Sequence, residues 1–166
     1  MQAVDGRLRR GDREAMAIWA LLPLLASSLW ASPVAAAPIQ ADFRPAAAYG
    51  SGHRGIDLSA QPGSPIRAVS EATVALAGPV AGKPVIVLLV DDPDLGRVRV
   101  TYEPVIPDVE VGDLVVAGQA IGTLAATGGH CGRSPHCLHL GIKQNGRYVN
   151  PAPLLSSGRV ILKPMN

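Results

Sequence analysis

His53 and Asp57 stand four residues apart, with Gly55 between them, in GSGHRGIDLSAQPGSPIRA from Gly50 to Ala68. In an extended segment, positions i and i+4 point to the same face. One imidazole and one carboxylate therefore converge, as a zinc site needs. His139, in the later stretch CLHLGI, is the candidate third ligand. Three of the four histidines and both cysteines crowd into TGGHCGRSPHCLHLGIKQNGRYVNP, from Thr127 to Pro151.

These side chains need a scaffold that brings distant segments together. No segment shows the 3.6-residue period of an amphipathic helix. Short β-rich runs alternate with turn signals instead. PIRAVSEATVALAG ends at Gly78-Pro79, KPVIVLLV is a continuous buried-strand run, and DDPDLG stops it. RVRVTYEPV alternates at its start, with Val98 and Val100 on one face and Arg97 and Arg99 on the other. CLHLGI and RYVNP are joined by KQNG, whose Asn145-Gly146 is a strong hairpin signal. Many short strands with Gly and Pro punctuation predict an all-β sandwich or open barrel. The Gly-Asp and Gly-Gln spacing of VEVGDLVVAGQAIGTL also occurs in biotinyl and lipoyl carrier domains. Those need an exposed lysine between apolar neighbours, and Lys83 in AGKPVIV lacks that setting.

The chain has 166 residues, one domain by length. Aromatics are 4% of it, with a single Phe, so Val, Ile, Leu and Ala must build the core. Formal net charge is +2 with no basic run in the body, which argues against nucleic acid as a partner. Residues 1–37 read as an address. Arg7, Arg9, Arg10 and Arg13 precede the apolar run 15–31, and SPVAAAP follows. That order is the signal-peptide order, with a cut after Ala36 or Ala37. Left uncut, residues 15–31 form an N-terminal anchor, the chain's one expected membrane contact. Either way the body is exported. Beyond the address, the expected layout is a linker at 38–48, a β core at 49–156 and a tail at 157–166. In an oxidising compartment Cys131 and Cys137 are expected to pair. The alternatives are a Cys137 thiolate completing a closed four-ligand zinc site, or a free thiol.

GHRGIDLSAQPGSPIRAVSEATV resembles the signature of the lysostaphin/LytM-like zinc metallopeptidases, which cut peptide bridges in bacterial peptidoglycan. Their His-x-Gly-x-Asp-(Ile/Leu) motif and the Pro-x-Gly-(Thr/Ser)-Pro stretch after it match His53, Gly55, Asp57, Leu58, Pro62, Gly63, Ser64 and Pro65. Their later His-Leu-His-Phe-Glu, hairpin and Val-Asn-Pro match CLHLGIKQNGRYVNP, ending on Val149-Asn150-Pro151. The resemblance implies a LytM-like antiparallel β core, with zinc held by His53, Asp57 and His139 in a groove that takes peptidoglycan peptides. Two departures matter. Cys137 replaces the first His of His-x-His, and Pro104 in TYEPV replaces the His of a Tyr-x-His-Leu tract. In the family these two groups handle the zinc-bound water and the developing oxyanion. Zinc lowers the pKa of its water, yet cutting a peptide still needs a group to move the proton. The candidate replacements are Glu103 and His136, each expected on the opposite strand face from the site; His130 sits in a Gly-rich loop. The expected function is an exported, zinc-binding domain that holds wall peptides or activates a wall hydrolase, with hydrolysis weak or lost.

Overall fold

The computed structural model describes residues 30–45, 50–129, 131 and 136–155. Among these described residues, eleven strands and one short helix follow in order. They are β1 (Ile39–Ala41), β2 (Ile56–Ser59), β3 (Pro65–Arg67), β4 (Ala72–Val80), β5 (Lys83–Asp92) and β6 (Gly96–Glu103). Then come β7 (Val105–Pro107), β8 (Leu114–Val115), β9 (Ala120–Leu124), β10 (Cys137–Gln144), β11 (Arg147–Val149) and α1 (Ala152–Leu155). All pairings are antiparallel. The larger sheet runs β1-β2-β10-β6-β5-β4-β8, with β11 also beside β10. The smaller runs β3-β9-β7. This is the all-β, LytM-like architecture. No helix among the described residues is long and apolar enough to cross a membrane.

Alternation decides which side chains face inward. Ile56 and Leu58 of β2, Val98, Val100 and Tyr102 of β6, and Leu138, Leu140 and Ile142 of β10 all enter the core. There they meet Ile66, Val105, Ile121 and Leu124 of the smaller sheet. Period-2 geometry then sends Thr101, Glu103, Cys137, His139 and Gly141 to the opposite face of the large sheet. Tyr102 is a fully buried polar anchor. The Val69 amide donates to its phenol oxygen at 3.0 Å, and burial pushes the phenol's pKa up. Asn145 and Gly146 both take positive φ in the β10–β11 turn, as a two-residue hairpin of this type requires.

Residues 30–45, which the sequence reading divides between the address and the linker, are among those described. Residues 1–29 and 156–166 lie outside the described residues, so the apolar run up to 29 and the tail are not placed. Trp30, however, is 5% exposed within the core, and its indole N–H donates to Asp92 Oδ2 at 2.8 Å. The Ala31 amide donates to the Val69 carbonyl, and the Arg67 amide to the Pro33 carbonyl. The folded body thus begins inside the stretch assigned to the address. Residues 38–45, expected as linker, supply β1 and an Arg44–His53 bridge.

Candidate metal centre

Register builds the centre of the outer face. On β10, His139 lies opposite Asp57 of β2 on one side and opposite Glu103 of β6 on the other. His53, just ahead of β2, is held by the main-chain bridge to Arg44. Gly55 is required here. A Cβ at that position would run into the Leu140 carbonyl oxygen and stand 2.7 Å from Cε1 of the His139 ring.

The three side chains meet at one place. His53 Nε2 lies 3.0 Å from Asp57 Oδ1 and 3.1 Å from His139 Nδ1, and that Nδ1 lies 2.9 Å from the same Oδ1. His53 and Asp57 are buried, at 7% and 3% exposed. The second ring nitrogen of His53 sets the chemistry. Its Nδ1 is 2.8 Å from the Asp42 carbonyl oxygen, which can only accept, so Nδ1 carries the proton. In the neutral ring Nε2 is then a lone pair aimed at a carboxylate oxygen. Two such acceptors repel at this distance, and a cation between them reverses the sign. A backbone carbonyl orienting the far nitrogen is the usual support of a metal-bound histidine. The donor set, two nitrogens and one oxygen, suits zinc, and the spacing fits as well. Separations of 2.9–3.1 Å fall inside the roughly 3.3 Å edge of a tetrahedron built on bonds of about 2.0–2.1 Å, so one ion can reach all three atoms.

Around the triad runs a groove of about 350 Å³, lined by Gly52, His53, Arg54, Lys83, Thr101, Glu103, His139, Gly141 and Tyr148. Glu103 therefore faces the site, against the sequence expectation. The phase of β6 is set by buried Val98, Val100 and Tyr102, which puts Glu103 outward together with Arg99. Extending the alternation seen at Val98 and Val100 by two steps would have found it. Lys83 donates to Glu103 Oε1 at 2.6 Å. His136 precedes β10 and does not line the groove. Pro104 is buried at the junction of β6 and β7, offering only its carbonyl, which accepts from the Ala125 amide. His130 lies outside the described residues.

Cys137 sits on the same face as His139, 1% exposed, and is disulfide-bonded to Cys131 with Cα atoms 6.0 Å apart. Both sulfurs lie within 4.8 Å of a carboxylate oxygen of Asp57. The bridge thus occupies one flank of the triad. Bonded sulfur cannot serve as a thiolate ligand, so the candidate donors are His53, Asp57 and His139, three groups where a closed structural zinc site uses four.

A two-sheet antiparallel β body with a His-Asp-His cluster on the groove face defines a LytM-like metallopeptidase-type domain. Residues 51–151 match the model of peptidase family M23, and the chain belongs to that family. It is 42% identical over 123 residues to the uncharacterized protein Rv2891 of Mycobacterium tuberculosis, covering 71% of this chain and 47% of that one. The chain thus spans about half the length of the curated relatives it matches. The catalytic domain of the antimicrobial peptidase lysostaphin from Staphylococcus simulans is 29% identical, at a TM-score of 0.56 over 69% of this chain and 88% of that one. Csd3 of Helicobacter pylori shares the fold at 24% identity and a TM-score of 0.63, over 83% of this chain and 37% of that one.

Proposed function

We propose that the chain is an exported M23 domain that holds zinc at His53, Asp57 and His139 and binds cell-wall peptidoglycan peptides in the adjoining groove, with little or no hydrolysis. One observation carries the reading. The ligand triad is intact, while the two flanking positions that move protons in the family hold Pro104 and a disulfide-bonded Cys137. General acid–base assistance is typically worth about 10² to 10⁴ in rate. A domain that keeps the metal and lacks this help binds far better than it cuts. Such a module serves as a wall anchor or as the regulator of a separate wall hydrolase. When bound, zinc supplies Lewis acidity toward a peptide carbonyl. The chain's own part is to orient the ligands through Asp42 and Gly55.

Glu103 favours a second reading, an active endopeptidase with a rearranged base. Directly opposed antiparallel residues have Cβ atoms about 4.5–5.5 Å apart, so its carboxylate starts beside His139. Against it, that carboxylate is already engaged by Lys83.

Metal analysis of the purified chain and release of labelled peptides from peptidoglycan separate the two. The binding reading expects zinc near one per chain, retention on peptidoglycan, and release that Glu103→Ala leaves unchanged at background. Robust metal-dependent release abolished by Glu103→Ala establishes the second reading.

A further inference from the structure

The outer sheet face continues beyond the metal triad. His139, Gly141 and Lys143 follow one another along β10, and Glu103, Thr101 and Arg99 run opposite them on β6. At the far end Lys143 is paired in register with Arg99. Like charges directly across a ladder destabilise a sheet. Among the described residues no carboxylate is paired with either cation. Lys143 Nζ lies instead 5.5 Å from the centre of the Tyr148 ring, and the Arg54 guanidinium 5.8 Å from the same ring. Tyr148 is 42% exposed and lines the groove. Glu103 is the sole carboxylate among the groove-lining residues, and Lys83 already pairs with it. The far end of the face thus carries the Arg99 and Lys143 cations, with the Tyr148 ring beside Lys143.

We infer that Arg99 and Lys143, with Tyr148 beside Lys143, form a subsite for a free carboxylate of the bound peptide. The inference rests on the reading of the groove as a peptide site and adds what that peptide must carry. Strands rise about 3.4 Å per residue, so the Lys143–Arg99 pair lies about 14 Å from His139, four residues along. An extended peptide with its backbone at the metal brings an acidic side chain or its C-terminal carboxylate to this pair roughly four residues away. An anion between the two cations also relieves their repulsion. A neutral peptide of the same length gains nothing there.

The test uses the full chain and a matched set of extended pentapeptides. One end carries a zinc-seeking hydroxamate or its methyl ester, and the other a free C-terminal carboxylate or its amide. Dissociation constants come from fluorescence anisotropy at low and high salt. The hydroxamate acid is expected to bind about fivefold more tightly than the hydroxamate amide, and salt is expected to erode that preference. Arg99→Gln with Lys143→Gln should abolish the preference, leave amide binding unchanged, and fold normally because both positions are exposed. Lys143→Arg should retain it. Equal binding of acid and amide by the unaltered chain overturns the proposal, as does a preference that survives in the double variant. If hydroxamate and methyl ester bind alike while the acid preference persists, the zinc reading fails and the carboxylate subsite stands.

Discussion

Replacing Trp30 by Ala removes the largest side chain of the segment that precedes β1. A Trp buries about 150–250 Å², worth roughly 4–6 kcal/mol at 25 cal/mol per Å². Measured Trp→Ala changes in cores cost about 3–5 kcal/mol. The substitution also strips Asp92 Oδ2 of its indole donor, while Oδ1 keeps the amides of Asp94 and Leu95. Losing one hydrogen bond to a charged acceptor costs about 1.5–3 kcal/mol. Against a total stability of about 5–15 kcal/mol, an expected loss of about 4–6 kcal/mol leaves the domain marginal or unfolded at 37 °C. Trp30→Phe separates the effects, keeping most of the packing and losing the hydrogen bond, at an expected cost of about 1–3 kcal/mol. Urea denaturation followed by far-ultraviolet circular dichroism measures both, since removing Trp30 also removes one of the chain's two tryptophan fluorophores. The same physics bears on processing. A cut after Ala36 would discard Trp30, Val34 and the main-chain bonds to Val69 and Arg67. On the export proposed above, the N-terminus of the processed chain, read by intact mass, is expected at or before Trp30. A loss below about 1 kcal/mol in Trp30→Ala, or an exported chain starting at Ala37 with unchanged stability, would refute the reasoning.

Gly55→Ala should weaken zinc binding about 10- to 100-fold, since its methyl group displaces the His139 ring; competition with a chromophoric chelator measures this. Asp57→Asn should bring bound zinc well below one per chain by elemental analysis, because the shared oxygen loses its charge. The Tyr102 phenol has a raised pKa, so its neutral form is favoured by folding and its contribution is complete below pH 10.0, the ordinary value. Above that pH the unfolded chain ionises first, and stability should fall by about 1.4 kcal/mol per pH unit. Tyr102→Phe should lack that part of the slope in denaturation curves between pH 9 and 11, set roughly around the ordinary phenol value. Replacing Cys131 and Cys137 by Ser together should cost about 2 kcal/mol for so short a bridged loop, with zinc content preserved; loss of zinc in this variant would place sulfur among the ligands.

The sequence by itself determined the fold class and the family, because both rest on short-range regularities. Strand alternation in RVRV, the buried run KPVIVLLV and the Asn145-Gly146 turn are each complete within a few residues. The His-x-Gly-x-Asp spacing is equally local, and it already aimed His53 and Asp57 at one point. What it left undecided depends on partners far along the chain. Glu103 joined the groove because Tyr102 takes the inward position and β10 sets His139 across from it, a register between residues 36 apart in sequence. Trp30 read as part of an address because its apolar surroundings say nothing of Asp92, 62 residues away, whose carboxylate receives its indole N–H. The repulsive pairing of Arg99 with Lys143 is likewise invisible until two strands are laid side by side. Side-chain direction along one strand follows from steric alternation and is local; which side chains then meet is set by strand register and sheet closure, which only the packed core decides.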